Sequence, residues 1–328
     1  MKILYIYRNP QSGFSIGRVF SPIASEVGKT EDVTNLFLPR YRASIPDIIA
    51  NVKYVRKHLK RHSYDIVHIT GDIYYIALFI RKRNLVVTVH DIGFYTNFGF
   101  SFHKMMRLLF WIKPITLAAR ITFISQKSKE EFLRVVKLDA IKMRVISNPV
   151  KEEFMFSKPK PSMEQPTILH VGTQPNKNLH GTIQALNGIK CRLNIVGKLY
   201  QKDIDVLADN HIDFSNYYKI SDAELLDLYK KCDIVSFPSF YEGFGMPIIE
   251  AQTVGRPVIT SNISPMKDVA GAGSILVDPY NTDTIRQGFL YALNHYDEVV
   301  ESGRRNAERF APQSIAEQYL SMYKEILK

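Results

Sequence analysis

The chain has 328 residues, of which 45% are hydrophobic and 23% are charged, and this composition excludes a disordered or low-complexity protein. Its length suits two domains, while two cysteines (Cys191 and Cys232) and the lack of a long apolar run exclude a disulfide framework and predict a cytoplasmic protein. The net charge of +11 lies in the first half, where residues 1–150 hold 24 Lys and Arg against 10 Asp and Glu. That excess indicates either an anionic partner, such as a membrane surface, a lipid phosphate or a nucleic acid, or ordinary solvated basic helices.

The first residues predict the start of a Rossmann-like domain. Residues 2–7 indicate a buried parallel strand, and a loop rich in Asn, Pro, Ser and Gly then leads to a helix over residues 18–27. Only Gly13 and Gly17 occur in this loop, so the dinucleotide fingerprint is missing and we expect no nicotinamide cofactor. The loop is either a plain turn or part of a ligand site with Gly13, Gly17 and Arg18.

Two later segments of this half combine basic and apolar residues. Residues 48–62 predict an amphipathic helix whose wetter face carries Lys53, Arg56, Lys57, Lys60 and Arg61. Residues 94–115 are both aromatic and basic, as in helices that lie on a membrane surface. A buried helix between domains explains residues 94–115 equally well.

Polar residues gather where the next predicted strands end. Strands are indicated over residues 64–71, 84–91 and 120–125, and ligands bind at the carboxyl ends of strands in open parallel sheets. His90 closes a run of β-branched residues and is followed by Asp91, which makes it the stronger candidate for a site. His68 ends the preceding strand and is the weaker candidate, because a lone histidine is more often structural.

A domain boundary is predicted near residues 150–165. A strand over residues 143–150 stops at Asn148-Pro149, and residues 158–166 are rich in proline and polar residues, as in a linker. A second Rossmann-like unit then begins at residues 167–172.

The stretch from Phe237 to Ala251 is the most informative in the sequence. A short buried strand leads to a loop with Gly243 and Gly245, and Pro247 marks the start of a helix. Glycines let the backbone approach a ligand, and the unpaired N–H groups of a helix start suit a phosphate. Glu242 and Glu250 lie on either side of this cradle, where carboxylates usually accept ligand hydroxyls. The alternative is a simple turn with two solvated glutamates.

With Gly255-Arg-Pro-Val after it, this stretch resembles the Glu-x7-Glu motif of retaining glycosyltransferases of the GT-B fold, especially glycosyltransferase family 4. The resemblance implies an α/β protein of two Rossmann-like domains, with parallel sheets facing across a cleft. Residues 1–150 would form the acceptor domain and residues 151–311 the donor domain. The last helix, residues 312–328, would cross back to the first domain. Such an enzyme takes a nucleotide-diphosphate sugar and needs no metal or other cofactor.

The resemblance also implies roles for single residues. Residues 172–179 match the donor-phosphate loop, in which Lys177 would neutralise the leaving diphosphate, although the arginine common in that loop is missing. Glu250 would hold the ribose hydroxyls, Glu242 the sugar, and His90 the same sugar from the first domain. The other expected donor-binding residues are Gly172, Thr173, Asn178, Gly243, Phe244, Gly245 and Met246. Gly13, Gly17, Arg18 and Asp91 would lie on the acceptor side.

One pair of acidic residues has the spacing of a metal-binding motif, but we do not expect it to bind a metal. Asp203 and Asp205 have the spacing of the metal-binding Asp-x-Asp of the other large glycosyltransferase fold, but no strand precedes them. Acidic residues at a helix start need no metal to explain them.

The sequence therefore predicts a retaining hexosyltransferase that acts on a glycan or polyprenyl-linked lipid acceptor in polysaccharide or glycolipid synthesis. Residues 241–245 (Tyr-Glu-Gly-Phe-Gly), followed by an apolar residue and Pro247, resemble many mannosyltransferases, and this resemblance favours GDP-mannose as the donor, while UDP-sugars stay open. We expect a peripheral protein at the inner face of the membrane and no nucleic-acid partner. The alternatives are a sugar-nucleotide epimerase or phosphorylase of the same fold, and a basic binding protein without catalysis.

Overall fold

A computed structural model describes residues 1–12, 15–80, 84–91, 106, 108–158, 161–162 and 164–328. The chain forms two compact units. Unit 1 comprises Met1–Lys151 with Pro312–Lys328, and unit 2 comprises Glu152–Ala311.

Unit 1 contains a six-stranded parallel sheet in the order β2-β1-β3-β4-β5-β6. Its strands are β1 (Lys2–Tyr7), β2 (Asp32–Phe37), β3 (Ile66–Ile69), β4 (Leu85–Val89), β5 (Arg120–Phe123) and β6 (Met143–Val145). The central strands β3 and β4 are buried along their whole length, which explains why they are continuous apolar runs rather than alternating ones.

The described helices of unit 1 are α1 (Ser15–Gly28), α2 (Ile45–Arg61) and α3 (Gln126–Leu133), with a short π-helix at Leu108–Ile112. Helix α2 begins three residues earlier than predicted. Ser44 caps it by accepting a hydrogen bond from the Asp47 backbone N–H at 3.4 Å, and a proline stands in its first turn. Of the aromatic and basic segment predicted over residues 94–115, residues 94–105 and residue 107 lie outside the described residues.

Unit 2 contains a second six-stranded parallel sheet in the order β12-β11-β10-β7-β8-β9. The strands are β7 (Thr167–Val171), β8 (Arg192–Val196), β9 (Asp213–Tyr217), β10 (Ile234–Phe237), β11 (Val258–Ser261) and β12 (Ile275–Val277). The helices are α4 (Leu179–Leu186), α5 (Gln201–Asp209), α6 (Asp222–Lys231), α7 (Met246–Val254), α8 (Met266–Ala270), α9 (Thr282–Asn294) and α10 (Tyr296–Ala307). Helix α6 starts with the predicted capping box, in which Ser221 and Glu224 bond to each other's backbone N–H groups at 3.2 and 2.7 Å.

The last helix, α11 (Pro312–Leu327), packs within unit 1. Its buried side chains join one apolar cluster with β1 and α1, and they are Ile315, Ala316, Tyr319, Met322 and Tyr323. The Tyr323 hydroxyl also hydrogen-bonds His68 Nδ1 at 2.6 Å, so the end of the chain is fixed to the centre of the first sheet. Within the described part of the chain, no helix combines the length and apolar character that crossing a membrane requires.

Candidate active site

The loop between β10 and α7 is the segment for which the sequence predicts a cradle. Gly245 has φ +114, which side chains rarely allow, and a Cβ there would lie 3.0 Å from Ile248 Cδ1. Gly243 is different, because a Cβ built on it meets no atom within 4 Å. Gly245 is therefore required by the backbone, whereas Gly243 keeps the loop surface open to a ligand.

The start of α7 offers the positive end of a helix dipole. Gly245 is the residue before the first turn and has no side chain to cap it. Pro247 has no N–H, and the Ile248 N–H donates to the Gly245 carbonyl at 3.0 Å, so the dipole rather than a row of N–H donors favours an anion here. This end of α7 can therefore hold an anion.

A cation and a carboxylate meet beside the cradle. Lys177 Nζ lies 2.7 Å from Glu242 Oε1, and both side chains are largely buried, with 19% and 13% exposed. The same ammonium group lies 4.9 Å from the centre of the Phe237 ring. Because an ammonium group has three N–H donors, Lys177 can bind Glu242 and a phosphate oxygen together.

Two asparagines fasten the loop after β7 to the loop after β10. The Asn176 carbonyl accepts from the Phe240 N–H at 2.8 Å, and Asn176 Nδ2 donates to the Tyr241 carbonyl at 2.9 Å. Asn178 Nδ2 donates to the carbonyls of Pro238 at 3.1 Å and Pro279 at 2.8 Å. These bonds fix the position of Lys177 relative to Glu242.

Asn178 has a structural task that the sequence did not predict. It adopts φ +58, its Oδ1 caps α4 by accepting from the Gly181 N–H at 3.2 Å, and its side chain is buried. Both amide hydrogens are used on carbonyls of the chain. The expected direct contact of this side chain with the donor is therefore replaced by a role in holding the loops.

Glu250 lies in α7, is 7% exposed and accepts a hydrogen bond from the Tyr229 hydroxyl at 2.8 Å. Burial, together with the nearby Glu250 carboxylate, raises the pKa of Tyr229 well above its ordinary value. Tyr229 therefore stays protonated and donates, which orients the carboxylate. Sequence reasoning missed Tyr229, since nothing in its spacing separates it from the core tyrosines.

The remaining donor-side predictions fall on the same edge of the second sheet. Gly172 follows β7 with φ +98, and a Cβ there would meet Lys177 Cγ at 2.9 Å. Thr173 Oγ1 donates to the Lys198 carbonyl at 2.7 Å. The Phe244 ring is buried edge-on against Phe310, with ring centres 6.0 Å apart, so only its backbone can face a ligand. Met246 is the first residue of α7.

Unit 1 has its own polar edge. His90 Nε2 hydrogen-bonds the Thr70 carbonyl at 2.8 Å, and burial lowers the pKa of His90, so the ring is neutral near pH 7. Arg8 and Asp72 form an ion pair of 2.9 Å after β1 and β3, a pair that the sequence did not indicate. Asp91 is exposed.

The other candidates of unit 1 are not placed in a site. Gly17 lies in the first turn of α1, whereas Gly13 and the side chain of Arg18 lie outside the described residues. His68 is fully buried, with its two ring nitrogens bonded to Tyr323 and Thr88, which makes it a core residue.

Asp203 takes part in a helix cap rather than a cluster of carboxylates. Its Oδ2 accepts from the Tyr200 N–H at 2.9 Å, and its Oδ1 lies 2.8 Å from His180 Nε2. The described residues contain no group of three or more His, Cys, Asp or Glu that could hold a metal ion.

Comparison with known proteins identifies the family. The model of "Glycosyl transferases group 1" matches residues 151–310, and that of "Glycosyltransferase Family 4" matches residues 18–154. The chain belongs to the group 1 glycosyltransferases. The two matches meet near residue 151 and together span residues 18–310, so the family assignment rests on both halves of the chain.

Relatives and solved structures agree with this assignment. The glycosyltransferase is 26% identical to "O-antigen chain mannosyltransferase B" of Escherichia coli, over 74% of this chain and 71% of that protein. It is 31% identical to "O-antigen chain mannosyltransferase RfbU" of Salmonella typhimurium, over 60% of this chain and 57% of the relative. The crystal structure of Anabaena Alr3699/HepE in complex with UDP and glucose has a TM-score of 0.72 at 17% identity and covers 99% of this chain and 100% of its own. With two parallel six-stranded sheets, this likeness confirms the predicted GT-B fold.

Proposed function

We propose that this glycosyltransferase transfers a mannosyl group from GDP-mannose to a glycan acceptor, with retention of the anomeric configuration. The observation that carries the proposal is the fixed arrangement of Lys177, Glu242 and Glu250 around the start of α7. The choice of mannose rests on the relatives, two of which are mannosyltransferases by name. UDP-sugars are the alternative donors, since a protein of the same fold binds UDP and glucose.

The charges of the site suit the leaving group. Breaking the bond between sugar and diphosphate builds negative charge on the diphosphate, and fixed positive groups lower the energy of that transition state. Lys177 and the positive end of the α7 dipole supply such positive charge, so the proposal requires no metal ion and no other cofactor. Glu242 would accept hydroxyls of the sugar, and Glu250, oriented by Tyr229, hydroxyls of the ribose.

His90 keeps its predicted role at the sugar as part of the proposal. A neutral imidazole bonded through Nε2 to the Thr70 carbonyl has its tautomer fixed, with the proton on Nε2. The other ring nitrogen then accepts a hydrogen bond, which suits a sugar hydroxyl. Asp91, Gly17, Gly13 and Arg18 stay predictions for the acceptor side.

The acceptor is proposed to be a growing polysaccharide chain, as in O-antigen synthesis, carried on a polyprenyl lipid. The side chains of α2 support the proposal that the enzyme binds a membrane surface. Its basic residues are all exposed, namely Lys53, Arg56, Lys57, Lys60 and Arg61. At the start of the same helix Ile45 is 75% exposed and Ile49 is 48% exposed. Basic residues beside exposed apolar ones are typical of helices that bind an anionic interface, and this would place the enzyme at the inner face of the membrane.

Donor cleavage tests the catalytic proposal without a known acceptor. Purified enzyme would be incubated with GDP-mannose, UDP-glucose, ADP-glucose and TDP-glucose, and free nucleotide would be measured over time. We expect slow release of GDP from GDP-mannose, and ¹H NMR of the early product should show the α-anomer. Release from a UDP-sugar alone would replace mannose in the proposal, while release from none of the four, with or without added membrane lipid, would contradict it. Free epimer as the product would favour an epimerase.

Vesicle binding tests the membrane proposal separately. The enzyme should sediment with vesicles containing anionic phosphatidylglycerol and not with neutral phosphatidylcholine vesicles, and binding should fall as salt rises. Replacement of Lys53, Lys57 and Lys60 by Glu should abolish binding. Equal binding by this variant would contradict a role for α2.

A further inference from the structure

A second pocket opens on the other side of the loop that carries Lys177. It has a volume of 370 Å³ and lies among the loop after β7, the first turns of α4 and α5, and the loop after β12. Lys177, Glu242, Glu250 and residues 243–246 do not line it. The pocket is therefore distinct from the cradle, although Thr173 and Asn178, two of the residues expected at the donor, line it. Its volume falls in the range of about 300 to 1,000 Å³ that is usual for small-molecule sites.

One wall is a stacked pair of aromatic rings. Phe240, which is half-buried, and Tyr280 stack with ring centres 4.9 Å apart and an angle of 25° between their planes. Tyr280 is 74% exposed, so its ring contributes little to the core of unit 2. A stacked aromatic surface at the edge of a pocket presents a flat apolar face to a ligand ring while its polar edges stay wet.

The opposite wall is polar and close to electrically neutral. Lys202 contributes a positive charge and Asp203 a negative one, and Asp203 is already bonded to His180 and to the Tyr200 N–H. Gln174 and Gln184 are exposed side chains that both donate and accept hydrogen bonds. Balanced charge with amide groups suits an uncharged ligand rich in hydroxyls better than a phosphate.

We propose that this pocket is a second saccharide site, which holds one uncharged sugar unit of the glycan chain with its ring against Tyr280. The saccharide class rests on the proposed function of the enzyme. The sugar unit would lie against Thr173, which belongs to the same loop as Lys177. The pocket would thereby keep a glycan chain attached to the donor-binding unit between transfers.

The test is binding of an α-linked mannotetraose, measured by saturation-transfer NMR and titration without any nucleotide. We expect Tyr280→Ala to weaken binding at least 10-fold and Gln184→Ala about 3-fold. Tyr291→Ala is the matched control, because Tyr291 is also an exposed, stacked tyrosine of unit 2 but lies outside the pocket, and it should stay within twofold of the wild type. The melting temperature of each variant would verify its fold.

Other outcomes overturn the proposal. Equal binding by the wild type and Tyr280→Ala, or no binding by the wild type at millimolar oligosaccharide, would refute a saccharide site here. Displacement of the oligosaccharide by inorganic phosphate would identify an anion site instead. Glu250→Gln should lose GDP-mannose and still bind mannotetraose, so failure of the pocket and failure of the donor site are separate results.

Discussion

Each sheet of this glycosyltransferase has polar residues at the carboxyl ends of its strands, but different kinds of bonds fix these residues in the two units. In unit 2, Asn176, Asn178 and the Lys177–Glu242 ion pair tie two loops together within a few residues of the cradle. In unit 1, His90 hydrogen-bonds the Thr70 carbonyl. His68, in the neighbouring strand β3, hydrogen-bonds the Tyr323 hydroxyl of the last helix. In unit 2 the loops that carry the candidate site residues are therefore bonded directly to each other, whereas in unit 1 the bonds run to a strand carbonyl and to the last helix.

Lys177 gives the largest expected effect. Lys177→Met should lower the rate of donor cleavage by about 100-fold or more, because the leaving diphosphate loses a fixed positive charge. The rate would be measured as GDP released from GDP-mannose at saturation. Lys190→Met, an exposed lysine of the same unit, is the control and should be within twofold of the wild type. Equal loss in both variants would mean that Lys177 acts only through net charge.

Substitution of Asn178 tests whether the hydrogen bonds between loops organise the candidate donor site. Asn178→Ala removes a buried amide that bonds two carbonyls and caps α4, and it should destabilise unit 2 by about 2 to 3 kcal/mol. Urea unfolding would measure the loss. The variant should also bind GDP-mannose more weakly at temperatures where it is fully folded. Unchanged affinity would show that the two loops keep their arrangement without this clamp.

One buried histidine in each unit should make the stability of the protein depend on pH. Burial lowers the pKa of His68 to about 3 and that of His170, in β7, to about 3, so both are neutral in the folded protein. In the unfolded chain a histidine gains a proton near pH 6.5. Stability is therefore highest above pH 6.5 and falls as the pH drops from 6.5 towards 3, by about 1 kcal/mol per pH unit for each histidine.

Urea unfolding at pH 7, 6 and 5 would measure this dependence. His68→Gln and His170→Gln should each make the fall in stability less steep. At pH 7 His68→Gln should be destabilising, because both ring nitrogens of His68 are bonded. An unchanged slope in both buried variants would contradict the assignment of neutral rings.

Tyr229 gives the smallest expected effect. Tyr229→Phe removes the hydrogen bond to Glu250 and keeps the ring, so the affinity for GDP-mannose should fall about fivefold, or about 1 kcal/mol. Isothermal titration would measure it. Tyr296→Phe, which also removes a buried hydroxyl from unit 2, is the control for a general loss of stability. A similar loss of affinity in both variants would exclude a specific role for Tyr229.

The sequence predicted those features that depend on neighbouring residues. The strand, the glycines and Pro247 specified β10, the turn and the start of α7, and Ser221 with Glu224 specified the start of α6, because each signal spans a few residues. It failed for bonds between distant residues. Asn178 meets Pro238 and Pro279 some 60 and 101 positions away, and His68 meets Tyr323 at 255. No local pattern indicates such partners, so the loop clamps, Tyr229 and the core role of His68 required the folded structure.

The central claim is that the Glu250 edge of unit 2 binds the nucleotide of GDP-mannose. The most direct measurement is isothermal titration of GDP-mannose into the wild type and into Glu250→Gln, with UDP-glucose as the competing donor. We expect selective binding of GDP-mannose that weakens at least 10-fold in Glu250→Gln, with the melting temperature of the free protein nearly unchanged. Equal affinity of the two proteins for GDP-mannose would contradict the account.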